Sequence, residues 1–286
     1  MILAHAGHHH EAIASAWEAP VAVLAGAALA LALFGQAFVR LRRRGRKDHA
    51  GWDRAALFTL AVALGTLALV SPLDYIGEEY LLSAHMLQHV VIGDLAVALA
   101  VVAMRGPLTF FLLPAALLGR LARLGWLRSG LRFLLDAKVA FVLWAVVIAA
   151  WHVPAAYDYA LTHQVVHDLE HLSFVIVGML VWIQLVDPAR RRELGLTGKL
   201  ALAIALFAAG QILADVLIFA MRPLYPSYAD QPERLLGLSP LQDQRLAGLV
   251  MMGEQLLTLG TFVALLLIAQ HRRLFGPTED ERRVAA

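Results

Sequence analysis

Long apolar stretches separated by short polar segments set the pattern of this chain. A helix needs about 20 predominantly apolar residues to cross a hydrocarbon core of about 30 Å. Seven stretches approach or exceed that length: Pro20–Val39, Ala55–Val70, Glu79–Ala103, Lys138–His152, His163–Val186, Lys199–Met221 and Leu241–Gln270. The pattern therefore predicts an all-α fold, a polytopic transmembrane helical bundle of seven spans.

The segments between the spans show no internal repeat and no soluble domain. We divide the chain into a histidine-rich extracytoplasmic tail at 1–19, a seven-span membrane domain at 20–270 and a cytoplasmic tail at 271–286. The positive charges follow the first apolar stretch rather than precede it. This stretch is therefore predicted to be a reverse signal anchor rather than a cleaved signal peptide.

The basic residues predict the orientation, because cytoplasmic loops carry an excess of lysine and arginine. The links after the first, third and fifth spans and the C-terminal tail hold 21 of the 24 lysines and arginines. We therefore expect the N-terminus outside and the C-terminus in the cytoplasm. All six tyrosines fall at the predicted outer boundary, where an interfacial belt would lie: Tyr75, Tyr80, Tyr157, Tyr159, Tyr225 and Tyr228.

Composition narrows the possible chemistry. The chain is 60% hydrophobic and 16% charged, against about 45–50% and about 25% in soluble domains. It has no cysteine, which excludes disulfides, thiolate zinc sites, iron–sulfur clusters and thiol catalysis. The formal charge of +2 reflects the cytoplasmic basic residues, and no aromatic–basic platform accompanies them, so no nucleic-acid partner is expected.

Histidine is the residue in surplus, and ten of the twelve lie in the predicted outer half. Residues four apart share one helix face, so the third span carries one pair and the fifth span a stripe of three. The rise per residue puts both sets at comparable depth, with a further histidine closing the fourth span above them. His5, His8, His9 and His10 in the tail would form a weak metal-capture site.

This arrangement predicts a metal site. Ionisable groups inside a membrane are costly and mark functional sites, and imidazole is a favoured ligand for copper, zinc and haem iron. The candidate metal ligands are His85, His89, His152, His163, His167 and His171. Candidate residues around the ligands are Glu170, Asp215, Met251 and Glu254. Asp94 lies well round the helix from His89 and is expected to make an interhelical contact.

Three sequence strings carry a resemblance to a known family. Ser83–His89 (SAHMLQH), Trp151–Asp158 (WHVPAAYD) and His167–Phe174 (HDLEHLSF) are similar to signatures of the CtaG-type cytochrome c oxidase assembly-factor family, in its polytopic membrane form. Asp243–Gln244 fits the family pattern more loosely. The segment Met251–Glu254 departs from the tryptophan-containing version that is typical of the family.

The resemblance implies a non-enzymatic helical bundle in the bacterial inner membrane that helps to mature a haem–copper cytochrome c oxidase. Its implied partners are the oxidase subunits, membrane lipid and a metal ion, with copper as the expected metal. The motif histidines that carry over are His85, His89, His152, His167 and His171. His163 lies outside the motifs and depends on the helical spacing alone.

Two alternatives stay open at this point. The first alternative is a seven-span zinc-dependent membrane hydrolase. The segment His167–His171 fits the H-x-x-E-H pattern of zinc peptidases, with Glu170 as general base. A membrane cytochrome with axial histidines from the third and fifth spans is the other. A retinal protein is excluded because the three lysines are cytoplasmic or at that interface and none lies mid-span, where the Schiff base would need one.

Overall fold

The structure is a computed structural model that describes residues 15–275. The N-terminal histidines His5, His8, His9 and His10, and the chain after residue 275, lie outside the described residues. Within the described part, all regular structure is helical, which confirms the predicted all-α fold.

The helices follow one another with short connections. In chain order they are α1 (Val21–Arg43), α2 (Trp52–Val70), α3 (Pro72–Glu79), α4 (Leu82–Val90), α5 (Ala96–Ala103), α6 (Pro107–Phe111), α7 (Ala115–Arg123), α8 (Gly125–Leu134), α9 (Ala137–Trp151), α10 (Pro154–Leu161), α11 (Gln164–Val186), α12 (Leu196–Phe219), α13 (Pro226–Ala229) and α14 (Pro240–Phe275). A π-helical turn, Val91–Leu95, joins α4 to α5, and 3₁₀ turns lie at Lys47–His49 and Leu235–Gly237.

Six helical segments in residues 15–275 are long and apolar enough to cross a membrane. They are Val21–Arg43, Lys47–Val70, Leu82–Ala103, Gln164–Val186, Leu196–Phe219 and Pro240–Arg272, in agreement with six of the predicted spans. The seventh candidate is a broken helix, because α8 and α9 meet at an angle of 70°. Since α9 has 15 residues, or about 22 Å, it reaches spanning length only together with α8.

The bundle has an apolar exterior and a partly polar interior. Large apolar side chains are exposed along the long helices, among them Ile204 and Ile212 at 66%. Glutamine side chains are buried instead, including Gln88, Gln184 and Gln244. This is the distribution expected where lipid contacts the surface and polar groups must find partners between helices.

The helices that carry the two histidine pairs are held close together by two glycines. Gly93 lies in the π turn after α4 and Gly178 lies in α11. A Cβ atom at Gly178 would overlap the carbonyl oxygen of Gly93. The absence of both side chains therefore allows the two backbones to touch just below the histidines.

The last helix, α14, fastens the end of the bundle where α4 begins. It packs along α12 and against α4. Gln244 accepts a hydrogen bond from the Leu224 backbone N–H at 2.6 Å and donates one to the Leu217 carbonyl at 3.2 Å. The start of α14 is thus tied both to α12 and to the loop that follows it.

Candidate metal centre

Four of the predicted histidines come together inside the bundle. His85 and His89 lie one turn apart on α4, and His167 and His171 lie one turn apart on α11. Each offers a ring nitrogen that lies within 4.8 Å of those of the other three. All four residues are buried, with exposed fractions of 0% to 8%. The predicted convergence of the two helix faces is therefore found for these four residues.

The two helices face each other ring to ring. His85 and His167 approach through their Nε2 atoms at 3.2 Å, and the His89 and His171 ring centroids are 5.1 Å apart. Within each helix the neighbouring rings are 4.3 Å and 4.1 Å apart. The four imidazoles thus form one compact group.

A chain of hydrogen bonds supports His85 from behind. Its Nδ1 atom lies 2.7 Å from the Tyr157 hydroxyl and 2.9 Å from the Tyr228 hydroxyl, and the two hydroxyls are 3.2 Å apart. Tyr228 donates its proton to the Gly77 carbonyl at 2.7 Å. Burial raises the pKa of Tyr157, so its hydroxyl keeps its proton and can donate to Nδ1 or accept from it. When His85 carries its proton on Nδ1, its Nε2 lone pair points at the other histidines.

A carboxylate supports His167 in the same way. The Nδ1 atom of His167 lies 2.9 Å from Oε1 of Glu78 on α3. A carboxylate can only accept here, so the proton of His167 resides on Nδ1 and the Nε2 lone pair faces the group. Carboxylate–histidine pairs of this kind orient metal-binding imidazoles and increase their basicity.

This donor set fits a metal ion. The Nε2 atoms of His85 and His167 are 3.2 Å apart, a distance at which one can donate a hydrogen bond to the other or both can bind one cation. A tetrahedral ion with metal–nitrogen bonds of about 2.0–2.1 Å holds its nitrogens about 3.3 Å apart. In His171, the Nε2 atom has no hydrogen-bonding partner within residues 15–275, and in His89 neither ring nitrogen has one. Buried polar atoms normally have partners, so these are available as ligands.

Glu170 borders the four histidines on α11. It is 1% exposed, and its Oε1 atom lies 4.0 Å from Nε2 of His89. That oxygen has no hydrogen-bonding partner in the described part of the chain. Glu170 is thus placed beside the group, as predicted for a residue around the ligands.

Two contacts hold α4 in position at the site. Asp243 of α14 accepts from the Leu82 and Ser83 backbone N–H groups at 2.7 and 3.1 Å, and from the Ser83 hydroxyl at 2.5 Å. The first turn of α4 is therefore capped by a residue about 160 positions away. Gln88 donates to Asp74 of α3 and, at 3.0 Å, to the Ala68 carbonyl. Burial, and after it the charge of Glu78, raises the pKa of Asp74 to about 6.

The other predicted metal ligands lie elsewhere. His163 precedes α11 and has extended backbone angles, so the helical face of His167 and His171 does not include it. Its exposed ring stacks on Tyr159 at 3.9 Å. His152 lies beyond His89, on the wall of a cavity of about 60 Å³. The structure therefore places His152 next to the four histidines but not among them.

The predicted surrounding residues also separate. Met251 and Glu254 lie on the wall of that same cavity, together with His89. Asp215 accepts a hydrogen bond from Gln211 at 3.0 Å within α12 and does not line the cavity. Asp94 accepts from Trp182 of α11, as expected for an interhelical contact.

Sequence reasoning missed the residues that support the histidines. Tyr157, Tyr225 and Tyr228 are 1% to 4% exposed, so all three face the interior of the bundle. Tyr157 and Tyr228 contact His85, and Tyr225 packs on Tyr157. Tyr157 lies within one of the strings that carried the resemblance, which was the available signal. Glu78 had no such signal, because it lies between two predicted spans and contacts a histidine 89 residues further along the chain.

The fold and the site define a class: a polytopic helical membrane protein with four buried histidines grouped between two helices. The family model for the cytochrome c oxidase caa3 assembly factor (Caa3_CtaG) matches residues 32–273. The chain therefore belongs to the family of caa3 cytochrome c oxidase assembly factors. No curated protein and no solved structure matches it individually.

Proposed function

We propose that this protein assists oxidase assembly by binding a copper ion with His85, His89, His167 and His171 and releasing it to an oxidase subunit. The observation that carries the proposal is the convergence of four buried imidazole nitrogens within 4.8 Å. Membership of an oxidase assembly family supplies the pathway, and haem–copper oxidases need copper.

The donor set supports copper as the cargo. Imidazole suits both copper and zinc, and thioether sulfur suits cuprous ion. Met86 and Met251 line the cavity next to His89, which offers a soft-donor region adjoining the histidines. The sequence contains no cysteine, so this chain offers the ion no thiol ligand.

We place the site at the extracytoplasmic end of the bundle in the bacterial inner membrane. The support is the distribution of lysine and arginine, because the histidine-bearing ends of α4 and α11 lie opposite the links that hold 21 of the 24. Copper would then be captured and delivered outside the cytoplasm.

Binding without catalysis is the role that four similar ligands favour. A catalytic zinc site keeps one coordination position for water beside three protein ligands, whereas four protein ligands close a tetrahedral site. We therefore assign the four histidines to holding an ion rather than to activating water.

Copper content of the purified protein tests the proposal. The protein in lipid nanodiscs, loaded with copper and washed, should hold about one ion per chain, as a closed four-ligand site would. His167→Ala should abolish that binding, and His167→Asn serves if alanine prevents folding. His163→Ala is the matched control, since it removes an exposed histidine next to the same helix. Equal copper in His167→Ala and the unaltered protein would overturn the proposal.

One observation favours a second function, zinc-dependent hydrolysis. Glu170 lies next to His171 in an H-x-x-E-H segment, and its Oε1 atom has no partner among residues 15–275. In a hydrolase Glu170 would act as general base toward a metal-bound water. Cleavage of a lipid or peptide substrate that Glu170→Gln abolishes while metal content stays unchanged would establish this alternative.

A further inference from the structure

A second buried polar site lies deeper in the bundle than the four histidines. It consists of Asp94 in the π turn and Glu254 on α14, which line the same cavity. Asp94 also accepts from the Trp182 indole N–H, and Thr258 donates to it at 3.5 Å. Nothing in the copper proposal uses this pair.

Two carboxyl groups on the wall of one cavity favour a bound proton. Two negative charges close together in a water-poor interior repel each other, so one carboxyl group holds a proton unless a nearby cation compensates the second charge. The described residues that line the adjoining cavity include no lysine and no arginine. No basic side chain on that cavity therefore neutralises the pair, and a bound proton does so instead.

The cavity extends from this pair to the histidines. The cavity has a volume of about 60 Å³. The polar residues on its wall are His89, His152, Asp94, Glu254 and Gln255. Polar atoms on its walls have no hydrogen-bonding partner within the described chain: both ring nitrogens of His89, Nε2 of His152, Oε1 of Glu254 and Oε1 of Gln255. A water molecule needs about 15 Å³ and polar partners, so the cavity has room for about four beside these polar atoms. Bound water would satisfy these atoms and connect them.

We propose that Asp94 and Glu254 form a proton-binding site that the cavity links through water to the histidine group, and that this proton is exchanged for the metal cation. In the exchange, which rests on the proposed copper function, a cuprous ion enters among the four neutral histidines and one proton leaves the carboxyl pair. The O–H bond of the pair breaks, and the proton passes into the cavity water toward His152. No electron is transferred, and the buried charge stays constant.

Infrared spectroscopy tests the proton-binding site without any metal. The metal-free protein in nanodiscs should show the C=O stretch of a protonated carboxylic acid, sensitive to deuterium exchange. Glu254→Gln and Asp94→Asn should each remove or shift that band. Asp215→Asn is the matched control, since Asp215 is a carboxylate of a neighbouring helix that does not line the cavity. A band that is absent, or that both pair variants leave unchanged, would overturn the site.

Proton release on copper binding tests the exchange. Adding cuprous ion to the weakly buffered protein should release about one proton per ion bound, since metal binding displaces protons, and Glu254→Gln should release close to none while binding copper. Copper binding with equal release from both proteins would overturn the exchange and leave the copper function intact. No copper binding at all would overturn the proposed function and the exchange together, whereas the infrared band would still decide the carboxyl pair.

Discussion

The two helices that build the histidine group differ in how they hold their side chains. Both present a pair of histidines one turn apart, and both begin at the same end of the bundle. However, α11 is a single regular helix of 23 residues, whereas the histidines of α4 lie within the 9 residues before a π turn in the continuous segment Leu82–Ala103. The π turn breaks the regular hydrogen-bonding pattern of the helix just after His89.

The contacts around the two helices reflect this difference. The rest of the molecule holds α4: Asp243 caps its first turn, Asp74 binds Gln88, and two tyrosines support His85. On α11, a single ion pair from Glu78 orients His167. The comparison teaches that the α4 half of the site depends on distant residues, while the α11 half depends mainly on its own helix.

The largest effect should come from forcing the two halves apart. Gly178→Ala places a Cβ atom on the carbonyl oxygen of Gly93, and backbone on both sides leaves no flexible group to yield. We expect the free energy of unfolding to fall by about 3 kcal/mol, with copper binding weakened as the histidine pairs separate. Unfolding in mild detergent and copper titration measure the two effects.

Gly253→Ala is the control for this substitution, because a Cβ atom at that helical glycine of α14 meets nothing within 4 Å. It should leave both measurements close to those of the unaltered protein. Equal behaviour of the two alanine variants would mean that contact between the π turn and α11 does not hold the site together.

Removal of the distant cap should affect the α4 half alone. Asp243→Ala leaves the Leu82 and Ser83 backbone N–H groups without their acceptor in a buried place. Replacing a helix-capping side chain by alanine costs about 0.5–2 kcal/mol, so a loss of up to about 2 kcal/mol in unfolding free energy is expected. Cross-linking from α4 should detect its displacement, and α11 should stay in place. A stable variant with normal copper affinity would contradict the dependence of α4 on α14.

Removal of the Glu78 carboxylate should affect the α11 half without loss of stability. Glu78→Gln keeps the size of the side chain, and its amide group allows His167 to adopt the other tautomer. Loss of such a partner lowers metal affinity by about 10–100-fold in other sites, and we expect a decrease in that range. Competition with a chelator of known affinity measures it. Glu79→Gln is the control, since Glu79 is the exposed neighbour on the same short helix.

The sequence predicted the long helices and their histidine pairs better than the contacts between the helices. The apolar stretches located the long helices, because lipid demands uninterrupted apolar length. The four-residue spacing predicted His85 with His89 and His167 with His171, because spacing within a helix is local. His163 failed the same rule because α11 begins one residue later, at Gln164, and the boundary of a helix is less certain than its existence.

The supporting residues could not be predicted because they act across long stretches of chain. Asp243 and Glu78 contact residues 160 and 89 positions away, and no periodicity joins such partners. Asp94 shows a different reason. A regular helix turns it well away from His89, but the π turn Val91–Leu95 has more residues per turn. The insertion brings Asp94 to the wall of the cavity that His89 also lines.

The free energy of unfolding should depend on pH through Asp74, which accepts a hydrogen bond from Gln88 of α4. Its pKa lies near 6 when folded, against an ordinary value of 3.8, so the folded protein holds this proton more tightly. Stability attributable to Asp74 is therefore greatest below about pH 4 and declines as the pH rises to about 6, by about 2 kcal/mol at most because the carboxyl is partly exposed. Asp74→Asn should remove this decline from unfolding curves measured across that range. A decline that persists in the variant would assign it to another group.

The smallest effect should come from one of the two tyrosines behind His85. Tyr157→Phe removes one hydroxyl, yet Tyr228 lies 2.9 Å from the same Nδ1 atom and can accept its proton. Copper affinity should therefore fall only a few-fold, well short of the loss in Glu78→Gln, where His167 loses its carboxylate partner. The double variant Tyr157→Phe, Tyr228→Phe leaves Nδ1 without either hydroxyl and should lose more than the two single losses together, as expected for residues that share one partner. Additive losses in chelator competition would show that the two hydroxyls act independently, and the α4 half would then be no better supported than the α11 half.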